Sequence, residues 1–242
     1  MIRVHSYESM GTFDGPGLRL VIFLQGCNFR CLYCANPDTI DLKGESKETA
    51  PEEILKMALN QKPFFGKKGG VTFSGGEPTV QAKELIPLFR RLKECGIHIC
   101  VDTNGSIFND DVKELFTIAD LILLDVKQFN PERHKMLTER SNEQTLRTAE
   151  WLESVGRPFW LRYVLVPGYS AIEEDIRSLG NHFGGYKMLQ RVEILPYHTL
   201  GVHKYAAMGK EYKLAGVKEN TPEQLDAAKA LFDEYFPTVY VN

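Results

Sequence analysis

Six times along this chain a short β-branched or aromatic run is followed by an amphipathic stretch of helical period, and that alternation constrains the fold more than any other feature. The runs are "LRLVIFL", "GGVTFS", "IHICVD", "LILLDV", "PFWLRYVLV" and "RVEILPY". Near-continuous apolar runs of this length read as strands buried on both faces. Helices are expected from Pro51, Ala82, Asp110, Asn142, Ala171 and Thr221, the last opening on Thr-Pro with Glu223 close behind, as N-cap chemistry favours. Strand and helix repeated in this way imply parallel strands joined by right-handed crossovers.

That pattern alone fits either a doubly wound open sheet or a βα barrel. The polar residues separate the two, because each strand runs at its C-terminal end into a cluster rich in reactive groups: "GCNFRCLYC", "SGGEP", "DTNG", "DVKQ", "RYVLVPG" and "PYH". In a βα barrel those ends converge on one face, where such enzymes place their chemistry. The expected fold is α/β, a partial (β/α)6 TIM-like barrel, incompletely closed. No low-complexity tract or Gly/Ser linker divides the chain, so residues 1–242 are expected to form a single domain.

A formal net charge of -3 leaves no basic footprint for a phosphate backbone, which argues against nucleic acid as a partner. The opening "MIRVHSYESM" lacks the layout of an export signal, and no apolar run is long enough to span a bilayer. The expectation is a cytoplasmic protein with no membrane partner. Its five cysteines, an odd number with three clustered, suit reduced thiols that bind metal better than a disulfide framework. Cys95 and Cys100 stand apart in apolar settings and read as small buried hydrophobes.

Cys27, Cys31 and Cys34 form C-x3-C-x2-C just after the first strand. Structural zinc completes a tetrahedron with four Cys or His ligands; no second cysteine pair exists here, and His98 or His198 would have to serve as the fourth ligand. A 4Fe-4S cluster on three thiolates accounts better for the spacing, since it leaves one iron open to a substrate or cofactor.

The other clusters carry plain readings beside functional ones. "SGGE", Ser74 to Glu77, is a strand-ending turn, or else Gly75 and Gly76 let backbone approach a ligand while Glu77 accepts from an ammonium group. Asp102 and Thr103, with Asp125 and Lys127, are solvated strand ends, or else the two carboxylates supply oxygen ligands to a hard cation. Arg162 interrupts an apolar strand, and a carboxylate partner is its plain reading. His198 in "LPYH" reads as a core histidine on composition, and His203 as a loop residue. Asp14 in "DGPG" reads as a turn former. The stretch from Gly201 to Asn220 is aperiodic and long for a compact domain, and is expected to border the mouth of the site.

The segment "GTFDGPGLRLVIFLQGCNFRCLYCANPDT" resembles the signature of the glycyl-radical-enzyme activating enzymes within the radical S-adenosylmethionine superfamily. "SGGEPTVQ", "HICVDTNG", "LLDVKQFN", "RYVLVPGYS" and "LPYHTLGVHKYAAMGKEYKLAGV" extend the resemblance in family order over nearly the whole chain. It implies a 4Fe-4S cluster on the three cysteines, with S-adenosylmethionine on the open iron, and hydrogen abstraction from a backbone glycine of a protein substrate. That substrate would be pyruvate formate-lyase or a related glycyl radical enzyme, with a flavodoxin or ferredoxin type electron donor. The resemblance further assigns Tyr33, Gly75, Gly76, Glu77, Asp102, Lys127, Arg162 and His198 to S-adenosylmethionine, and Asp14 to the substrate's glycine loop. Asp102, Thr103, the Leu123 backbone and Asp125 would hold a monovalent cation. Activators of glycerol- or choline-type lyases often carry a cysteine-rich insert after the first cluster loop, and residues 35–73 contain no cysteine. Ala35 follows the third cysteine where such activators often carry histidine, so any contact there is left to the backbone.

Overall fold

All six apolar runs are strands in the computed structural model, which describes residues 1–242. In chain order the elements are β1 (Ile2–Gly11), β2 (Arg19–Leu24), β3 (Lys47–Thr49), α1 (Pro51–Gln61), β4 (Gly70–Gly75), α2 (Ala82–Glu94), β5 (His98–Thr103), α3 (Asp110–Ile118), β6 (Leu121–Asp125), α4 (Pro131–Thr138), α5 (Glu143–Ser154), β7 (Phe159–Leu165), α6 (Glu173–Phe183), β8 (Leu189–Pro196), α7 (Val202–Ala207), α8 (Pro222–Asp233) and β9 (Val239–Val241). The hydrogen-bonded strand order is β3-β1-β2-β4-β5-β6-β7-β8-β9, an α/β sheet not closed into a barrel, in keeping with the incompletely closed fold expected from the sequence. β2 with β4, β4 with β5, β7 with β8 and β8 with β9 pair in parallel. β1 runs antiparallel to both β2 and β3, an addition that the six repeats do not foretell. No helix is long and apolar enough to cross a membrane.

The chain divides into two compact units, Met1–Asn28 with Thr39–Leu123, and Phe29–Asp38 with Leu124–Asn242. In the first, Leu85, Leu88, Phe89 and Leu92 form the buried stripe of α2, and the rings of Phe89 and Phe73 lie 4.6 Å apart. Each such side chain contributes about 1.5–3 kcal/mol through burial. Val21 pairs with Thr72 and Thr72 with Cys100, so the strand period of two puts Thr72 and Ser74 on one face of β4, and Cys100 and Asp102 on one face of β5. Contacts bear this out: Ser74 Oγ donates to Asp102 at 2.6 Å, and Arg19 Nε donates to Thr72 Oγ1 at 2.5 Å.

In the second unit Arg162 of β7 stands in register with Glu193 of β8. Leu161, Val192, Ile194, Phe183 and Phe232 are fully buried around these strands, with Tyr163 edge-on to Phe232 at 5.5 Å. The turn after β6 is fixed by the fully buried Gln128, whose amide donates to Asp175 at 2.9 Å and to the Tyr169 carbonyl at 3.1 Å. Its own carbonyl accepts from Asn130 N at 3.1 Å, closing the turn that leads into α4.

Candidate functional site

The cysteine loop is closed at its base within the first unit, where Gly26 N donates to the Thr39 carbonyl at 2.8 Å and Cys27 N to the Ile40 carbonyl at 3.0 Å. In the second unit it hangs from α4. The last carbonyls of a helix have no partner inside it, and here Thr138 O accepts from Arg30 N at 3.0 Å and Leu137 O from Leu32 N at 2.9 Å. A turn from Cys34 N to the Cys31 carbonyl, 3.2 Å, brings the last two cysteines onto one bend. None of the three cysteines is in a disulfide, and all three are half-buried.

No three Cys, His, Asp or Glu side chains converge as one metal ion requires. Three thiolates that each bind a different iron of a cubane need no such convergence, so the donor set fits a 4Fe-4S cluster. Burial pushes the Cys34 thiol up, while the Asn36 N–H, Lys127 and Lys204 act in the opposite sense and favour the thiolate.

The glycine motif and "DTNG" are one hydrogen-bonded body. Glu77, 1% exposed, accepts at Oε1 from Thr79 N at 3.0 Å and from the hydroxyls of Thr79 and Thr103, each at 2.6 Å, and at Oε2 from Asn104 N at 2.8 Å. Burial raises its carboxyl above the ordinary range, and these donors work against the rise. The carboxylate expected to meet an ammonium group is thus the acceptor for its own loop. Asn104 continues the chain, donating to Asn28 Oδ1 at 3.0 Å, while Asn28 donates to Ser106 Oγ at 2.7 Å. Asn28 sits directly after Cys27. Thr103 also accepts from Gly105 N at 3.0 Å, so its hydroxyl is engaged on both sides.

Gly75 and Gly76 are glycines of necessity. Gly75 has φ +103° and a Cβ there would meet Leu24 N at 2.4 Å; one on Gly76 would meet the Gly26 carbonyl at 2.3 Å. Their amides are also spoken for in part, since Gly76 N donates to Leu24 O at 2.9 Å.

Asp125 and Lys127 form an ion pair at 2.6 Å with each side chain 15% exposed. Burial opposes the charge on Lys127, but Asp125, Tyr33 and Cys31 outweigh it and hold the ammonium well above the ordinary lysine range. Lys127 also lies 5.9 Å from the centre of the Tyr33 ring. The Tyr33 hydroxyl is buried without a hydrogen-bond partner.

Arg162, 7% exposed, has the carboxylate partner of its plain reading, Glu193 at 3.5 Å. Glu193 is shared with Arg191 at 3.0 Å, whose guanidinium lies 3.9 Å and 4.1 Å from the ring centres of Trp160 and Tyr240. His198 is exposed just beyond β8, which corrects the core reading. Leu123 is fully buried in β6. The Asp14 carbonyl accepts from Thr72 Oγ1 at 2.6 Å, and Arg19 Nη1 donates to the Pro16 carbonyl at 2.8 Å, so the "DGPG" turn is tied to the polar face that holds Ser74 and Asp102.

Three further sequence readings change. The stretch Gly201 to Asn220 is not wholly irregular, because it contains α7, and His203 lies on that helix. Cys95 is half-exposed at the C-terminal end of α2, whereas Cys100 is fully buried with its thiol pushed up to about 12 by desolvation. Arg19, Asn28, Asn104, Lys204 and Tyr205 went unnoticed. Arg19, fully buried in "LRLVIFL", carries the same signal that singled out Arg162, a charge inside an apolar strand.

A family model described as the Radical SAM superfamily matches residues 21–179. The chain is 44% identical over 244 residues to "Pyruvate formate-lyase-activating enzyme" of Streptococcus mutans serotype c (strain ATCC 700610 / UA159), covering 96% of this chain and 93% of that protein. It is 44% identical over 236 residues to "Pyruvate formate-lyase 1-activating enzyme" of Escherichia coli (strain K12), covering 96% of each. Among solved structures, a domain of pyruvate-formate lyase-activating enzyme from Bacteroides vulgatus ATCC 8482 superposes with a TM-score of 0.61 over 72% of this chain and 99% of that one; at 23% identity this likeness concerns the fold alone. The chain belongs to the radical SAM superfamily and, within it, to the pyruvate formate-lyase-activating enzymes.

Proposed function

We propose that this chain activates pyruvate formate-lyase by removing a hydrogen atom from a backbone glycine of that enzyme. The supporting observation is an intact C-x3-C-x2-C loop in a chain 44% identical, over 96% of its length, to activators of that name. When bound, the reduced 4Fe-4S cluster supplies the electron that cleaves S-adenosylmethionine to methionine and the 5′-deoxyadenosyl radical that takes the hydrogen.

Cys27, Cys31 and Cys34 would hold the cluster and leave it one open iron for S-adenosylmethionine. Gly75 and Gly76 offer close-approaching backbone, and Glu77 keeps that backbone rigid. Lys127 and Arg162 supply positive charge toward the cofactor's carboxylate, with Tyr33 and His198 toward its adenosyl part. Asp14 belongs to the strip of polar residues that meets the substrate's glycine loop. Asp102, Thr103, the Leu123 carbonyl and Asp125 carry the oxygen atoms that a monovalent cation would use, and a flavodoxin or ferredoxin type protein donates the electron. Val166, Tyr197, Tyr205, Tyr212 and Leu214 pack with Leu32 and Tyr33, which keeps water from one flank of the cysteine loop.

The test is anaerobic incubation of the iron-reconstituted protein with S-adenosylmethionine, a strong reductant and pyruvate formate-lyase, read by electron paramagnetic resonance. A glycyl doublet is expected. Consumption of S-adenosylmethionine without that doublet would assign a different partner, and absence of any cluster signal would refute the reading.

A further inference from the structure

The cysteine loop is gripped on a second side by α7. Gly201, Lys204 and Tyr205, spaced i, i+3 and i+4, lie on one face at the start of this helix. All three meet the five residues that begin at the last cysteine. Tyr205 Oη donates to the Cys34 carbonyl at 3.0 Å, and Lys204 Nζ donates to Asn36 Oδ1 at 2.9 Å and Asp38 Oδ1 at 3.1 Å. Gly201 lies so close to Ala35 that a Cβ would stand 2.6 Å from its carbonyl oxygen.

Tyr205 is itself braced. Its ring meets that of Tyr212 edge-on at 5.0 Å, and the Tyr212 hydroxyl lies 2.8 Å from that of Tyr197. The chain of contacts from Tyr197 to Cys34 is therefore continuous and lies wholly within one compact unit. Neither Tyr205 nor Lys204 touches a cysteine sulfur in these contacts, so each would act on the cluster through the backbone and through charge.

We propose that α7 is a clasp that positions the last cluster cysteine, with Tyr205 anchoring the Cys34 carbonyl and Lys204 tying down Asn36 and Asp38. This rests on the 4Fe-4S reading of the three cysteines. The clasp slows loss of the cluster, and the positive charge of Lys204 raises the reduction potential by favouring the more negative, reduced state.

The experiment compares the reconstituted wild type with Tyr205→Phe, Lys204→Met and Lys204→Arg. The readouts are iron bound per chain, the rate of iron release to a chelator, and the reduction potential followed by electron paramagnetic resonance. Glu153→Ala serves as the control, because Glu153 accepts from Lys187 N at 2.9 Å and Met188 N at 2.8 Å elsewhere in the same unit. Tyr205→Phe removes one hydrogen bond and no charge, so iron release should quicken about 5-fold with the potential unmoved. Lys204→Met should quicken release and also lower the potential, and Lys204→Arg should restore it. Wild-type release rates and potentials in both Tyr205→Phe and Lys204→Met would overturn the clasp. So would an equal acceleration in Glu153→Ala, which would mean that general loosening of the unit is responsible. A wild type that takes up no iron at all would refute the cluster reading itself, and the clasp with it.

Discussion

Replacing Glu77 by glutamine tests whether this carboxylate is an architectural hub. Its two oxygens accept from four donors, Thr79 N, Thr79 Oγ1 and Thr103 Oγ1 on one and Asn104 N on the other. Glutamine keeps one acceptor oxygen and can satisfy the first three. Its NH2 group then faces the Asn104 N–H, which the carboxylate holds at 2.8 Å. Two buried donors are left opposed, each costing about 1–3 kcal/mol, while removal of a buried charge offsets part of the loss. The net expectation is a destabilisation of about 2–4 kcal/mol. For a chain of this size each kcal/mol moves the melting temperature by roughly 2–4 °C, so a fall of about 4–16 °C should appear in thermal unfolding followed by circular dichroism. Binding of S-adenosylmethionine by the surviving folded protein, measured by calorimetry, should weaken only modestly. Unchanged melting combined with a large loss of S-adenosylmethionine affinity would refute the hub and restore direct recognition by Glu77.

Gly76→Ala should prevent stable folding or abolish iron binding, since its Cβ would lie 2.3 Å from a main-chain oxygen that cannot turn away; soluble yield and iron content check this. Cys34→Ser should leave a folded chain that takes up far less iron than wild type, as atomic absorption would report. Lys127→Met strips the partner from a carboxylate only 15% exposed and should cost about 1–3 kcal/mol in urea unfolding, less than for a fully buried pair. His134, buried and held below the ordinary imidazole value of 6.5 chiefly by desolvation, should make stability fall as the pH drops below 6.5, because the unfolded chain then binds the proton first. His134→Gln should flatten that slope in pH-dependent denaturation.

The parallel strands and most helices were legible because burial on both faces writes a continuous apolar run into the sequence. β1 was not, since half-exposed side chains interrupt its apolar residues, and β3 and β9 have only three residues each, too few to show a period. α4 escaped for another reason. "PERHKMLT" has hardly any apolar face, and its start is marked only locally, by Asn130 accepting from Glu132 N and Arg133 N and by Pro131 in the first turn. α7 has six residues, less than two turns. At the site, the cysteine spacing carried its own meaning, whereas the partners of a side chain did not. Nothing in "SGGE" announces that Asn104, twenty-seven residues on, occupies the carboxylate.

Both helices that the sequence concealed hold the cysteine loop, and that coincidence has a physical basis. A loop whose thiols must remain available to iron cannot be anchored through those thiols, so beside the packing of Leu32 and Tyr33 its anchors are main-chain hydrogen bonds and short polar reaches. α4 offers its orphan carbonyls to Arg30 and Leu32, and α7 offers the Tyr205 hydroxyl and the Lys204 ammonium to the residues from Cys34 to Asp38. Elements that act through backbone groups and side-chain tips need little hydrophobic periodicity of their own. The same reasoning extends to Glu77, which receives four donors from its own loops. In this chain the conspicuous motifs name the reacting groups, and the inconspicuous segments determine how firmly those groups are held.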